Sequence, residues 1–324
     1  TLMSVKIFPQ GYICAVGGGS EDYADWSDAP YSWIVQKSDS GKIIILGTSS
    51  ATGWLPNYFL SFGASSAVNM TINSRSFADA QSTYDELKTA KAIFIRGGDQ
   101  WNYINYWKGT KTETAIMEIF QAGGVVAGTS AGLAVLGSVD FSARYGSVYP
   151  DNVLQNPFAA SIDLETNFLN LVPGTLFDSH FIERGRSGRL IGMLLKAKVQ
   201  LGLDILGVGV DDHTAICIDT NGIGTVMGSG AVAFYHADEQ TLYDVNGSSY
   251  IIKGLRSHQL TNGWTFSFPS RQILGYPPSA RIFIKGSDSI YAGGDISFTG
   301  NNNTAQWDTS HITRFLATAS NGTK

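Results

Sequence analysis

Apolar residues along this chain gather into short, nearly continuous runs, and the early ones each end in glycine or small polar residues. Tyr12–Val16 runs into Gly17-Gly18-Gly19-Ser20, and Lys42–Leu46 into Gly47-Thr48-Ser49-Ser50. Ala92–Ile95 runs into Arg96-Gly97-Gly98-Asp99-Gln100, and Gly124–Ala127 into Gly128. Runs without polar alternation suit strands buried on both faces of a parallel sheet. Residues 79–90 and 113–122 lie between such runs and read as helices. Strand and helix in alternation predict a doubly wound α/β layer with a mostly parallel sheet. Ligands of such sheets bind at the carboxyl ends of the strands, where the glycine turns cluster here.

From about residue 205 the pattern changes. Leu206–Asp219, Gly222–Tyr235 and later short runs alternate with Gly, Asn and Ser turns, which predicts a β-rich, antiparallel C-terminal part. Beyond Arg271 come Pro277-Pro278, Gly293-Gly294 and Asn301-Asn302-Asn303. The expected organisation is a main domain over 1–270 and a small turn-rich extension over 271–324, with no internal repeat.

Composition narrows the function classes. An apolar fraction of 43% with mean hydropathy near zero fits a globular fold with a substantial core. A formal net charge of -5, without any basic block interleaved with aromatics, gives no electrostatic reason to expect nucleic acid. No apolar stretch is long enough to cross a membrane. Thr1-Leu2-Met3-Ser4 does not read as a signal peptide. The low charge and the Asn/Gly/Ser-rich C-terminal stretch favour an exported protein over a cytoplasmic one. Cys14 and Cys217 sit in strand-like runs and read as buried free thiols, with a single disulfide between them as the alternative. No His, Cys or carboxylate set has zinc-ligand spacing, so no metal and no cofactor are expected.

Gly128-Thr129-Ser130-Ala131-Gly132 is the motif that carries chemistry. Gly-x-Ser-x-Gly between a strand and a helix is the nucleophile-elbow arrangement: a sharp turn drives the serine side chain into the cleft, and only small neighbours tolerate the crowding. Ala131–Leu136 is small and apolar enough to open a buried helix, whose N-terminus would favour developing negative charge. The Ala131 N–H then serves as one oxyanion donor. The competing reading is a glycine-rich turn whose serine only caps that helix.

A serine nucleophile needs a base, and the chain has five histidines. His180 lies in Phe177-Asp178-Ser179-His180-Phe181, ahead of Glu183, Arg184, Arg186 and Arg189, in a segment too rich in arginine to be expected wholly buried. Asp140, Asp178, Asp211 and Asp212 are all candidates to orient it, and spacing does not choose among them. His213 is either a second base or a surface residue. Gly17-Gly18-Gly19 lacks both the Gly-x-Gly-x-x-Gly spacing and the Lys-Ser/Thr of a phosphate loop.

Together these blocks resemble the cyanophycinase and peptidase E group of serine peptidases, on its cyanophycinase-like branch. The likeness rests on Gly17–Asp22, Gly97–Gln100, Gly128–Gly132 and Asp178–Phe181 with its arginines, in matching order, with Gly207–Asp212 as a fifth block. It covers about residues 5–270. The resemblance implies a fold similar to class I glutamine amidotransferases, with Ser in place of Cys. It makes Ser130 the nucleophile, His180 the base and Asp212 the acid, with Asp140 as the runner-up. It puts the oxyanion between the amides of Gly98 and Ala131. Gln100, Asp178, Ser179, Arg184, Arg186 and Arg189 fall on its substrate-binding positions. Ser179 is a departure, since cyanophycinases usually carry Gln there, and it bears on polymer specificity. The implied partner is an aspartyl-containing peptide or polymer, the implied bond β-aspartyl, and the implied assembly a homodimer. An α-aspartyl dipeptidase-like exopeptidase and a catalytically silent binding protein on the same fold are the alternatives.

Overall fold

The computed structural model describes residues 11–246 and 249–280. Most of the expected extension, from residue 281 onward, lies outside the described residues, as does His311.

The strands in chain order are β1 (Tyr12–Val16), β2 (Lys42–Gly47), β3 (Ser66–Thr71), β4 (Ala92–Ile95), β5 (Val125–Thr129) and β6 (Val139–Phe141). Next come β7 (Leu164–Thr166), β8 (Thr175–Asp178), β9 (Leu206–Val210), β10 (Thr214–Ile218), β11 (Ile223–Gly228) and β12 (Ala231–His236). The last are β13 (Leu242–Asn246), β14 (Ser249–Lys253), β15 (Arg256–Thr261), β16 (Thr265–Ser267) and β17 (Gln272–Gly275). The helices are α1 (Asp28–Lys37), α2 (Trp54–Ser61), α3 (Arg75–Ala78), α4 (Gln81–Leu87), α5 (Gln100–Trp107), α6 (Lys111–Gln121), α7 (Pro150–Gln155) and α8 (Ser187–Leu201).

A nine-stranded sheet of order β17-β16-β11-β10-β1-β5-β4-β2-β3 forms the centre. The five strands from β1 to β3 run parallel, and the half from β10 to β17 is antiparallel. The sheet is therefore mixed rather than mostly parallel. Strand direction follows from the length of each connection: the early strands are joined by helical crossovers, while β10 and β11 are joined by the four-residue turn Asp219–Gly222. The strand Gln272–Gly275 belongs to this sheet, beyond the boundary expected at residue 270.

The continuous apolar runs divide their side chains between the two faces. Cys14, Ile43, Ile45, Phe94 and Ala127 pack with Tyr31, Ile34 and Phe59 of α1 and α2. Ile13, Ile44, Ile93, Ile95 and Val126 pack with Trp107, Ile116 and Phe120 of α5 and α6, and with Val208, Val210 and Phe234. The last three belong to a second sheet of order β15-β12-β9-β8, whose outer face is covered by Leu190, Met193 and Leu194 of α8. Cys14 and Cys217 are buried, free and opposite each other across β1 and β10. The carboxyl ends of β1, β4 and β5 are neighbours in the central sheet, and β8 and β9 are neighbours in the second.

Candidate active site

Ser130 follows β5 with φ of +55°. A left-handed conformation at a residue with a Cβ costs about 1–3 kcal/mol. It is held here by the Ser130 N–H donating to the Val16 carbonyl at 3.1 Å. The flanking glycines are steric requirements. A Cβ on Gly128 would stand 2.3 Å from the Gly132 carbonyl oxygen, and one on Gly132 would stand 2.1 Å from that of Ile95.

The helix expected after the serine does not form. Leu133–Val135 make one 3-10 turn, after which Gly137 bridges Val172 and the chain enters β6. Leu133, Ala134, Val135 and Leu136 are all buried, as expected of a buried helix. The Leu136 carbonyl, however, accepts from the Val172 N–H at 3.1 Å and the Ser138 N–H donates to the Thr175 carbonyl at 3.0 Å, bonds that end the turn and start the strand. One turn aligns few peptide dipoles, and help to an oxyanion comes from individual N–H groups rather than a macrodipole.

His180 sits just past β8, at φ of +46°, and its N–H donates to the Gly17 carbonyl at 3.0 Å. Its Nε2 lies 2.7 Å from Ser130 Oγ, and its Nδ1 lies 2.5 Å from Asp212 Oδ1. Asp212 stands where the chain crosses from β9 in the second sheet to β10 in the central one. Its N–H donates to Glu183 Oε2 at 3.1 Å, a contact that sequence reasoning did not find. Beneath the pair runs the Gly17-Gly18-Gly19 segment. A Cβ on Gly18 would stand 2.3 Å from His180 Cε1 and 2.5 Å from Asp212 Oδ1, so this glycine lets the backbone close against both side chains.

The other acids have different places. Asp140 is buried in β6, and Asp212, not Asp140, bonds to His180. Among the described residues Asp140 Oδ1 has no hydrogen-bond partner, and burial, followed by the charge of Glu165, raises its carboxyl well above the usual carboxylate range. Asp211 is buried and accepts from the N–H groups of Ile182 and Ala231, pinning the loop after His180 to β12. His213 packs against Trp26, with ring centroids 5.5 Å apart.

Ser130 and His180 open into a cavity of about 390 Å³ that Gly98, Ala131, Gln100, Asp178, Ser179, Arg184, Arg186 and Arg189 also line. Every position expected to bind substrate therefore borders it. Among the described residues, neither the Gly98 nor the Ala131 amide donates to a protein acceptor. Gln100 Nε2 donates to the Phe141 carbonyl at 3.2 Å.

The Arg-rich segment is more buried than its composition suggests. Arg186 is only 7% exposed and Arg189 3%, because both charges are met at Asp178. Arg189 Nε donates to Asp178 Oδ2 at 2.8 Å and Nη2 to Oδ1 at 2.5 Å, while Arg186 Nη1 reaches Oδ1 at 3.2 Å. Burial alone would raise the Asp178 carboxyl; the guanidiniums of Arg189 and Arg186 outweigh it and hold it below the usual range. Burial, followed by the charge of Arg189, lowers Arg186 to about 9, still cationic at neutral pH. Asp178 is thus spent on the cavity wall. Arg184 is exposed at the rim, and so is Arg144, a lining residue for which the sequence offered no signal beyond one arginine in a loop.

A serine, histidine and aspartate chained by hydrogen bonds at the carboxyl edge of an α/β sheet define the class of this protein: a serine hydrolase. Comparison with known proteins carries this further. The sequence model of peptidase family S51 matches residues 56–226, more than half of the chain. Cyanophycinase of Trichormus variabilis is 29% identical over 225 residues, which cover 67% of this chain and 70% of that protein. Cyanophycinase of Synechococcus elongatus is 28% identical over 214 residues, covering 63% and 61% respectively. The crystal structure of a peptidase from an acI-B1 Actinobacterium superposes with a TM-score of 0.53 at 19% identity, over 79% of this chain and 96% of that one, which shows a shared fold. The chain belongs to peptidase family S51 and is a serine peptidase, as the sequence blocks implied.

Proposed function

We propose that this peptidase hydrolyses β-aspartyl peptide bonds through an acyl-enzyme on Ser130. The observation that supports this most directly is the chain Ser130 Oγ–His180 Nε2–His180 Nδ1–Asp212 Oδ1, at 2.7 and 2.5 Å. Ser130 attacks the aspartyl carbonyl while His180 Nε2 takes its proton. Asp212 holds the imidazole in the tautomer with Nδ1 protonated and stabilises the cation that forms. The tetrahedral oxyanion lies between the amides of Gly98 and Ala131, which no protein acceptor competes for among the described residues. His180 returns the proton to the leaving amine. Water then attacks the ester, with His180 again the base.

Charge in the cavity supports an acidic substrate. Four arginines line it against two aspartates, and Asp178 is already committed to Arg186 and Arg189. Guanidinium groups match a free carboxylate bidentately. Turnover of α- and β-aspartyl dipeptides and of cyanophycin, on wild type and Ser130→Ala, tests the reading. The expected result is release of the β-aspartyl bond by wild type and none by Ser130→Ala. Turnover retained in Ser130→Ala would end the acyl-enzyme mechanism, and cleavage of the α-linked isomers alone would replace the substrate.

A further inference from the structure

One arginine on the rim of the cavity is held in place by more than its surroundings require. Arg144 follows Ala143, whose φ is +52°, a left-handed conformation that an alanine adopts only at a cost of about 1–3 kcal/mol. The turn is pinned on both sides. The Arg144 N–H donates to Ser142 Oγ at 3.1 Å, Ser142 Oγ donates to Asp163 Oδ2 at 2.6 Å, and the Gly146 N–H closes onto the Ala143 carbonyl at 2.8 Å.

The side chain is fixed as well. The Arg144 guanidinium carbon lies 5.0 Å from the Trp101 ring centroid and 5.5 Å from that of Tyr145. Stacking on aromatic faces orders a guanidinium while leaving its N–H groups in the plane unspent. Among the described residues Arg144 has no acidic partner, in contrast with Arg186 and Arg189, which share Asp178. Arg184 lines the same cavity from the loop after His180 and also lacks an acidic partner among the described residues. Of the two lining aspartates, Asp178 is taken by Arg186 and Arg189, and Asp99 caps α5 by accepting from the Trp101 N–H at 3.0 Å. Arg144, ordered by its aromatic stacking, and Arg184 thus both line the cavity that holds Ser130, neither with an ion-pair partner among the described residues.

We propose that Arg144, with Arg184 of the same cavity lining, binds a second carboxylate of the substrate, separate from the aspartyl carbonyl that Ser130 attacks. This makes Arg144 a specificity-determining residue for peptides whose leaving residue keeps a free carboxylate. The inference rests on the reading of the cavity as an aspartyl-peptide site and adds to it a requirement on the far side of the scissile bond. An amide in place of that carboxylate loses the charge-assisted pair. Hydrogen bonds to charged groups are worth enough to change affinity by about tenfold to a hundredfold.

Titration calorimetry with β-aspartyl-alanine and its C-terminal amide, both into Ser130→Ala, reads this without turnover. In that background the acid is expected to bind at least about tenfold more tightly than the amide. Adding Arg144→Gln is expected to collapse the acid-to-amide ratio to within about threefold, and Arg144→Lys to restore part of it. Equal affinity for acid and amide, or a ratio untouched by Arg144→Gln, overturns the proposal, as does failure of the acid to bind. Turnover of the same pair by wild type separates the two ideas. Hydrolysis that depends on Ser130 but ignores the carboxylate sinks the Arg144 proposal alone. A ratio that depends on Arg144, without hydrolysis, sinks the aspartyl peptidase reading instead.

Discussion

Replacing Gly18 with alanine would test whether the glycine run holds His180 and Asp212, the proposed base and acid, together. The added Cβ would stand 2.3 Å from His180 Cε1 and 2.5 Å from both His180 Nδ1 and Asp212 Oδ1, where ordinary contact begins at 3.4 Å. Relief therefore requires the His180 ring and the Asp212 carboxylate to retreat by about 1 Å, and displacement of this size costs about a hundredfold in rate. That corresponds to about 2.7 kcal/mol of transition-state stabilisation. Gly18 also has φ of +139°, so some loss of stability accompanies the loss of rate, and a control must separate the two. Gly19→Ala supplies it: φ there is +89°, and the new Cβ would meet the His213 ring rather than His180. The assay is the second-order rate of inactivation by a serine-directed fluorophosphonate, read by intact mass, with the melting temperature recorded in parallel. The expected result is comparable destabilisation in both variants and a large loss of labelling in Gly18→Ala alone. Equal labelling of Gly18→Ala and wild type, or equal losses in both variants, would refute the reasoning.

Other substitutions probe the remaining acids. Asp212→Asn should lower turnover by about 10³–10⁴-fold by allowing the wrong imidazole tautomer, while Asp140→Asn should leave it within a few-fold, and kcat measurements rank the two directly. Asp140 carries a raised carboxyl, so the folded state holds its proton more tightly than the unfolded chain does. Its contribution is complete below the unfolded value of about 3.9 and is lost as pH rises towards the folded one. Asp140→Asn should remove that loss, and urea unfolding at acid and neutral pH should show the variant gaining on wild type as pH rises. Asp178 has the opposite sign: its depressed carboxyl contributes above an unfolded value of about 3.9 and loses its contribution as pH falls through the folded value. Asp178→Asn leaves Arg186 and Arg189 buried without an anion, and thermal or urea unfolding should show a loss of about 3–5 kcal/mol at neutral pH.

Four of the five strands of the parallel half were legible because residues buried on both faces leave no polar alternation, as Lys42–Leu46 and Ala92–Ile95 show, whereas β3 at the sheet edge is only partly buried and carries no such run. Their parallel direction was legible as well, because the helical stretches between them mark crossovers; what hydrophobicity did not show is that the antiparallel strands β10, β11, β16 and β17 extend the same sheet. The short turn at Asp219–Gly222 is what turns β10 and β11 antiparallel. Ser130 and His180 could be nominated from local pattern, one by crowding at an elbow and the other by scarcity. The acid could not. Asp211 and Asp212 are adjacent, and only their opposite directions at the strand end separate a backbone pin from the partner of His180. The helix after Ser130 stopped at one turn because the Leu136 carbonyl and the Ser138 N–H bond to Val172 and Thr175, partners too distant in the chain for a local pattern to reveal. The burial of Arg186 and Arg189 was illegible for a related reason: a charge goes inside only when its partner is in place, and pairing with Asp178 is a fact of three dimensions.

Ser130 and Gly18 hang from strands of the central sheet, His180 follows a strand of the second, and Asp212 stands on the crossing between them. The reactive constellation thus exists only while the two sheets are docked. A partly opened molecule, with β8 and β9 lifted away, would keep its serine elbow yet lose the base that arms it. Under the proposed mechanism such a form would be inert, because its nucleophile and its base stand on different sheets.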